Sequence, residues 1–417
     1  MKRIMLGCKF ARIMRYLHVC ALYEPMHDGY NPSYKIKEFL ESLHKRFKRL
    51  FEPGRQLSLD ETLVRAFGRM KFKVRIISKA ARYGIKIYVL TDAATAYVLK
   101  VIVYTGKHTY NESINQSDKK TVQVVKELCK NWEGSYRTVF VDRFYTSIDL
   151  LKELRKMNLF VTGTIMKNRI PSEVIVPKSS QTFKRMERGD FKRHTYSYML
   201  NGKREKVGLI CWKDRDMVYC VSNEANTQEI DSCVRRSKFG LQTLNRPRMI
   251  SEYNQFMGGV DLADMRRLLC NSTVMCQNRW WLKLFFYLLD VGTSNALVLY
   301  NLSRKQNEQP LSIVDYKREL VMTLVGGRFE DIPEVIVRHL PLRGNQRNRC
   351  AYCAMFSRMR RTRFKCSADC CNLPLCSVGT GNAEQDCFTM CHANREIHKA
   401  VLAKYRMMQK SVNARYK

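Results

Sequence analysis

The uneven distribution of the cysteines is the strongest constraint on the fold. Of the 16 cysteines in 417 residues, eight fall within residues 350–391. No apolar signal-peptide stretch precedes them, so we interpret the chain as intracellular and expect thiols or metal ligands rather than disulfides. The spacing Cys350-x2-Cys353, followed by further cysteines downstream, suits tetrahedral zinc. The block therefore predicts a zinc-binding segment.

The net charge predicts a polyanionic partner. The chain has 74 lysines and arginines against 38 acidic residues, which gives +36 at pH 7. Such an excess favours nucleic acid first and an anionic membrane surface second. The longest apolar stretch, residues 280–302, is interrupted by Lys283 and Asp290, so we expect no transmembrane helix and no membrane partner. Within the cysteine block we predict a phosphate-contacting cluster rather than a merely solvated face, at Arg358, Arg360, Arg361, Arg363 and Lys365.

The periodicity of apolar residues predicts a layered α/β core. Segments 10–17 and 36–47 have helical spacing, and segments 83–90 and 97–104 read as the strands of a hairpin. Buried strands at 137–141 and 159–165 enclose a helix at 148–157, an order typical of α/β layers. Residues 168–247 have a different texture, with strands and many basic residues, and indicate a β-rich insertion. Helices return at 250–302 and 312–324, and residues 343–349 read as a basic linker.

Four aspartates are candidates for metal-dependent chemistry. Asp60 and Asp142 lie in or just after strongly apolar strands, where an ionised carboxylate needs a cation or hydrogen-bond donors. Asp261 and Asp264 share one face at the start of a helix. Asp261 also has an ordinary reading as an N-cap or first-turn acid, and Asp60 has one as a strand-end residue paired with a nearby lysine or arginine. Together they suit the carboxylate set that holds two divalent ions for phosphodiester cleavage and strand transfer.

Several sequence blocks occur in an order that resembles a known family. They are Leu57-Ser58-Leu59-Asp60-Glu61, Ser78-Lys79 with Tyr83-Gly84-Ile85-Lys86, Tyr104-Thr105-Gly106, Val141-Asp142-Arg143-Phe144-Tyr145-Thr146-Ser147, Val161-Thr162-Gly163-Thr164, and Tyr253-Asn254 with Met257-Gly258-Gly259-Val260-Asp261 and Asp264. From about residue 10 to 392 the chain closely resembles the piggyBac family of DDE transposases and the piggyBac-derived proteins of animal genomes.

The resemblance implies an α/β fold with an RNase H-like catalytic core interrupted by a β-rich insertion. A helical dimerisation and DNA-binding domain flanks the core, and a cross-brace zinc domain follows. The implied boundaries are 1–55 and 265–340 for the helical domain, 56–167 and 248–264 for the core, 168–247 for the insertion, 347–394 for the zinc domain and 395–417 for a basic tail.

The resemblance also implies the roles of the site residues. Asp60, Asp142 and Asp261 are the catalytic acids that bind Mg²⁺ or Mn²⁺, and Asp264 is the additional catalytic aspartate of the family motif. Eight ligands would bind two zinc ions, drawn from Cys350, Cys353, Cys366, Cys370, Cys371, Cys376, Cys387, Cys391 and His392, with Cys391 and His398 as candidates for the last position. The implied reaction is strand cleavage, hairpin formation and insertion at TTAA. The implied partners are double-stranded DNA and a second copy of the chain. The implied location is the nucleus.

Three departures from the family pattern keep alternatives open. Arg143 stands where the family usually has Asn, so it pairs with Asp142 and competes with metal, or it contacts phosphate. The segment 271–281 has one basic residue, and the chain begins later than is usual in the family. The first alternative is therefore a domesticated nuclear DNA-binding protein without catalysis. The second is a zinc-dependent chromatin or protein reader.

Overall fold

The computed structural model describes residues 7–20, 33–66, 70–76, 83–109, 119–176, 179–224, 227–237, 240–269, 271–272, 279–304, 308–325, 341–356, 359, 361–366, 371, 373–375, 387, 391, 397–405 and 407. The chain divides into two compact units, Met1–Gly326 and Gly327–Lys417. We refer to them as the first and second units and describe each by itself.

Helices and strands alternate through the first unit, as the apolar periodicity predicts. The helices of the described residues are α1 (Gly7–Tyr16), α2 (Tyr34–Leu50), α3 (Lys120–Cys129), α4 (Ile148–Lys156), α5 (Gln181–Arg185), α6 (Arg248–Phe256), α7 (Gly259–Leu269), α8 (Trp280–Ser303), α9 (Ile313–Leu324) and α10 (Ala351–Met355). The strands are β1 (Gln56–Arg65), β2 (Val74–Arg75), β3 (Tyr83–Asp92), β4 (Val98–Val103), β5 (Thr138–Val141), β6 (Phe160–Thr164), β7 (Phe191–Leu200), β8 (Lys203–Lys213), β9 (Met217–Ser222), β10 (Ile230–Ser237), β11 (Gly240–Pro247), β12 (Pro341–Arg349) and β13 (Arg361–Cys366). The predicted mixed α/β class is confirmed.

A nine-stranded sheet organises the described part of the first unit. Its order is β2-β3-β1-β5-β6-β9-β8-β7, and β4 pairs with β3. The central strands β1, β5 and β6 are parallel, whereas the β1–β3 and β3–β4 pairs are antiparallel. The predicted hairpin of residues 83–104 is therefore confirmed as β3–β4. Strands β7–β9 continue the same sheet through the β6–β9 pair, and β10–β11 form a separate hairpin. The division of this unit into a core and an insertion stays a prediction.

The β5–α4–β6 segment follows from its local sequence. All four residues of β5 are buried, which suits a central strand covered on both faces. Ser147 caps α4 by accepting a hydrogen bond from the Leu150 N–H at 3.1 Å. Arg155 and Lys156 lie in the last turn, where cations are favourable. The helix therefore begins directly after the loop that carries Asp142.

Helix α8 is long and apolar enough to cross a membrane by length and composition alone. In the structure it is a core helix, because it packs against α2, α7, α9 and β1. Its buried Asp290 is 1% exposed and accepts hydrogen bonds from Ser272 and from Lys317, each at 2.9 Å. A compensated carboxylate in the middle of the helix suits a protein interior rather than lipid.

The second unit is built around cysteines and one hairpin. Six of the ten buried residues in its apolar cluster are cysteines, and Leu373 and Leu375 are fully buried among them. Residues 397–405 are helical, and Val401 joins the same cluster. The interpretation of residues 343–349 as a linker is wrong, because β12 pairs antiparallel with β13. Cross-strand pairing gives this polar, glycine-containing segment a strand conformation that its composition does not indicate.

Candidate functional site

One face of β1 carries alternating polar residues that meet the α6–α7 region. The Ser58 hydroxyl donates to the Met257 carbonyl oxygen at 2.6 Å, and the Thr62 hydroxyl donates to the Asp264 carboxylate. Because side chains alternate along a strand, Asp60 lies on the same face between these two contacts. It is half-buried. The N-terminal half of α7 is therefore fixed directly over Asp60.

Strand β5 places Asp142 beside Asp60. The parallel register of β1 and β5 pairs Leu59 with Val141. The residue that follows each of them in the sequence is an aspartate, Asp60 and Asp142. Residues opposite each other in a parallel pair face the same side of the sheet. Burial of Tyr253 raises the pKa of its phenol to about 12, and the fields of Asp142 and Asp60 both add to the shift. Both predicted acids therefore lie near Tyr253.

The environment of Asp142 favours its protonated form more than water does. Burial raises the pKa of Asp142 above its usual value, and the neighbouring Glu61 carboxylate adds to the shift. Backbone N–H groups of Phe144 and Tyr145 oppose it, because they donate to one Asp142 carboxylate oxygen at 2.9 and 3.4 Å. A bound cation would reverse the balance in favour of the carboxylate.

Helix α7 delivers the third predicted acid. A Cβ on Gly259 would lie 2.6 Å from the Thr91 hydroxyl oxygen and 2.9 Å from Ser58 Cβ, so only glycine permits this approach to the sheet. Asp261 follows in the first turn and is exposed. Asp264, one turn later, is bonded to Thr62 and lies 3.1 Å from the buried Arg267 guanidinium. Asp261 is open to solvent, whereas Asp264 already has protein partners.

The acids do not form a closed metal cage. Asp60, Asp142 and Asp261 all lie in described segments, and their carboxylate oxygens do not come within 4.8 Å of one another as a group. Carboxylate oxygens are the ligands that Mg²⁺ prefers, with its remaining positions filled by water and substrate phosphate. The donor set therefore fits divalent cations in chemical type, and an open arrangement leaves positions for a phosphodiester.

Arg143 does not neutralise Asp142 through direct contact. The Arg143 side chain is exposed, and in the part of the chain that the structure describes it forms no ion pair with Asp142. Its charge lowers the pKa of Asp142, but by less than burial, Glu61 and the two backbone donors change it. Of the two readings that the sequence leaves open, the geometry favours a cation directed at solvent or phosphate.

Three cysteines of the second unit form a metal-binding geometry. The sulfur atoms of Cys350, Cys353 and Cys387 lie within 4.8 Å of one another, and all three side chains are buried. The Cys353 and Cys387 sulfurs are 3.4 Å apart, far beyond disulfide length. Sulfurs around tetrahedral zinc lie about 3.8 Å apart, given Zn–S bonds of about 2.3 Å. A hydrogen bond with Cys350 raises the pKa of the Cys387 thiol above its usual value, and burial adds to it.

A second cluster contains His398. The His398 Nε2 atom lies 3.2 Å from the Cys371 sulfur. Burial raises the pKa of Cys371 to about 12, and Cys366 and Cys391 contribute further. These four side chains are the two kinds of ligand that structural zinc uses. The family resemblance names His398 as one of two candidates for the last position. The predicted ligands Cys370, Cys376 and His392 lie outside the described residues.

The β12–β13 hairpin presents a row of cations. Arg361, Arg363 and Lys365 are exposed and alternate with the buried Thr362 and Cys366, so they share one face of β13. The paired strand β12 carries two further exposed cations, Arg347 and Arg349, in the segment whose composition predicts a linker.

The hairpin register places like charges together. Arg349 pairs directly with Arg361, and like charges opposite each other are unfavourable without an anion. The predicted cluster members Arg358 and Arg360 lie outside the described residues. The described face of the hairpin therefore suits a phosphate backbone.

Comparison with known proteins identifies the class. A family model described as Transposase IS4 matches residues 1–297. This family model describes the piggyBac-type transposases, and it matches more than half of the chain. The chain therefore belongs to the piggyBac-type transposase family.

Named relatives agree with this assignment. The chain is 27% identical over 401 residues to PiggyBac transposable element-derived protein 3 of Homo sapiens, which covers 89% of this chain and 62% of the relative. It is 20% identical over 328 residues to PiggyBac transposable element-derived protein 5 of Homo sapiens, with coverage of 78% and 60%. The chain thus spans about three fifths of the length of these relatives.

A solved structure shares the fold. The piggyBac transposase, in a cryo-EM structure of its synaptic complex with hairpin DNA, superposes with a TM-score of 0.61 at 23% sequence identity. The match covers 80% of this chain and 66% of that one.

Proposed function

We propose that this chain is a piggyBac-like transposase that cleaves and rejoins DNA strands with divalent metal ions. The observation that carries the proposal is the arrangement of three acids around β1. Asp60 lies in β1, Asp142 directly follows the neighbouring parallel strand β5, and Asp261 lies in the first turn of α7, the helix that is bonded to the Asp60 face of β1. The β1, β3–β6 arrangement supports an RNase H-like core. Two Mg²⁺ ions, when bound, would supply activation of the attacking oxygen and stabilisation of the leaving oxygen.

The residues of the chain have distinct tasks in this proposal. Asp60 and Asp142 hold the cations on the rigid sheet, and the exposed Asp261 closes the set from the solvent side, where DNA arrives. The family motif implies that Asp264 is a catalytic acid. Its bonds with Thr62 and Arg267 favour an anchoring task instead, in which it keeps α7 against β1.

The proposed substrate is double-stranded DNA, namely transposon ends and TTAA targets, and the proposed site of action is the nucleus. The charge of +36 and the cationic face of the β12–β13 hairpin support a phosphate partner. The matched piggyBac transposase is in a synaptic complex with hairpin DNA, which supports DNA in particular as the partner. We also propose a homodimer, as the family resemblance implies.

We also propose that the second unit binds zinc in a cross-brace manner. Cys350, Cys353 and Cys387 would hold one ion, and the cluster of Cys366, Cys371 and His398 would hold another. Buried Cys391 lies near both sets, since Cys350 and Cys366 both raise its pKa. Structural zinc would supply folding free energy to this small unit.

Mn²⁺ binding in the presence of duplex DNA tests the catalytic proposal. We expect the unaltered protein to bind Mn²⁺ and Asp142→Asn to lose at least tenfold in affinity, because the variant removes a charged ligand. Asp149→Asn, an exposed acid of α4 paired with Lys119, is the matched control and should bind normally. Equal binding by all three proteins would contradict the metal site.

A second candidate function is DNA binding without catalysis. It is favoured by the separation of the three carboxylates and by the exposed Arg143 next to Asp142. In that case DNA binding persists, Mn²⁺ affinity does not depend on Asp142, and no strand cleavage is detected. The same titration therefore separates the two candidates.

A further inference from the structure

The loop after β5 is held from outside by one arginine. Arg169 ends the short 3-10 helix Lys167–Arg169 that follows β6. Its Nη1 atom donates to the carbonyl oxygens of Arg143 at 3.2 Å, Phe144 at 2.8 Å and Thr146 at 2.7 Å. Three carbonyl dipoles that point at one place repel one another unless a hydrogen-bond donor lies between them. The guanidinium group is such a donor.

The same loop fixes the direction of the Asp142 carboxylate. The Asp142 carbonyl oxygen accepts hydrogen bonds from the Tyr145 and Thr146 N–H groups at 3.2 and 3.1 Å, and from the Thr146 hydroxyl at 2.7 Å. The Phe144 N–H donates to the carboxylate itself at 2.9 Å. If the loop opens, Asp142 loses both its backbone anchor and its side-chain donors.

The side of the loop that faces β6 is tightly packed against that strand. A Cβ on Gly163 of β6 would lie 2.4 Å from the Thr146 hydroxyl oxygen and 2.5 Å from the Val141 carbonyl oxygen. The loop is therefore packed against β6 from within, while Arg169 holds its carbonyl groups. One further contact ties it to β1, since the Tyr145 hydroxyl donates to the Glu61 carboxylate at 2.8 Å.

We propose that Arg169 is a positioning residue that holds the 142–146 loop in the conformation that directs the Asp142 carboxylate towards the metal site. Arg169 acts through the loop backbone and not as a metal ligand. The part of this inference that concerns metal rests on the proposed function. The part that concerns the loop is independent of it.

Hydrogen exchange and Mn²⁺ titration of the full chain test the proposal together. We expect Arg169→Leu to speed exchange of the 144–146 amides at least tenfold and to weaken Mn²⁺ binding at least tenfold, with the melting temperature little changed. Arg169→Gln keeps a neutral donor and should recover most of both losses. Lys167→Leu removes the same charge two residues away and should change neither readout.

Each remaining outcome decides the question. Unchanged exchange in Arg169→Leu would overturn the proposal, as would faster exchange with unchanged Mn²⁺ affinity. If Arg169→Gln matches Arg169→Leu in Mn²⁺ affinity while its amides stay protected, the charge acts directly and positioning is refuted. If Arg169→Leu does not fold, amide exchange and Mn²⁺ affinity are measured on Arg169→Gln and Thr146→Val instead. If the unaltered protein shows no Asp142-dependent Mn²⁺ binding, the proposed function fails, and amide exchange alone decides whether Arg169 holds the loop.

Discussion

Single side chains explain why α7 lies where it does. Ser58 and Thr62 each bond to a chain segment about two hundred positions away, and Arg267 completes the contact by pairing with Asp264. Arg267 is 5% exposed and lies over the Tyr287 ring, so its charge depends on Asp264 for compensation. The polar residues of β1 therefore connect strand, helix and acid.

This arrangement predicts that loss of the Asp264 charge lowers stability, whereas loss of the Asp261 charge lowers Mn²⁺ affinity. We expect Asp264→Asn to lower the free energy of unfolding by about 2–4 kcal/mol, because it leaves a buried guanidinium without its charge partner. Mn²⁺ affinity should fall less than threefold. Asp261→Asn should do the reverse, with little change in stability and at least a tenfold loss of Mn²⁺ affinity.

Urea denaturation and Mn²⁺ titration of the same preparations measure both quantities. A variant at Asp264 that keeps full stability but loses metal binding would show that Asp264 is a ligand and not an anchor.

At the scale of elements, close packing of α7 on the sheet should be sensitive to one methyl group. Gly259→Ala would place Cβ against Thr91 and Ser58, so helix and sheet must separate. We expect a loss of about 1–3 kcal/mol in unfolding free energy and weaker Mn²⁺ binding. Gly258→Ala is the matched control, since its Cβ would meet nothing within 4 Å. Equal stability of the two variants, measured in urea, would contradict the tight approach.

The sequence predicts elements well where local chemistry decides their state. The fully buried β5 and the helix α4 lie where the apolar pattern predicts a strand at 137–141 and a helix at 148–157. Strand β12 was missed because Gly344 and its polar neighbours have low strand propensity, and only pairing with β13 makes it a strand. The contact of Asp264 with Thr62 is not predicted either, since a contact across 202 residues leaves no local signal.

The candidate site was predictable to a similar degree. The acids were identified from motifs whose residue types suit metal chemistry, and the register of β1 and β5 shows that two of them lie together. Arg169 belongs to no recognisable sequence motif, because its contacts are with backbone carbonyl oxygens. The residue types of a loop do not determine where its carbonyl groups point.

For the whole molecule, the cysteine-rich core predicts two independent unfolding transitions. A cluster in which six of ten buried residues are cysteines has little aliphatic area to stabilise it without metal. Chelation should therefore unfold the second unit and leave the transition of the first unit in place. Calorimetry with and without chelator measures this, together with zinc content.

Variants provide the controls for this prediction. Cys353→Ser should lower zinc content and abolish the transition of the second unit. Cys129→Ala, a buried cysteine of α3, should leave zinc content unchanged. A chelator-resistant second unit would contradict a structural metal.

The charge of the molecule predicts a steep dependence of DNA binding on salt. Phosphate contacts release counterions, with a slope of about 0.9 per contact in a plot of log affinity against log salt. Replacing Arg361, Arg363 and Lys365 together by Ala should reduce the slope by up to about 2.7. Replacing Lys184, Arg185 and Lys192 of the first unit serves as a charge-matched control for non-specific loss of charge. An unchanged slope in the hairpin variant would refute the cationic face as a DNA contact.

The Ser58–Met257 and Thr62–Asp264 bonds join positions 199 and 202 residues apart, which has a consequence for synthesis. At about 5–20 residues per second, a ribosome needs roughly 10–40 s to make the chain between them. During that interval the polar face of β1 is not covered by α7, and Asp261 has not yet been made. A nascent or prematurely terminated chain thus carries Asp60 and Asp142 without Asp261. If the proposed metal site needs all three acids, it can form only after the segment that carries Asp261 has been made.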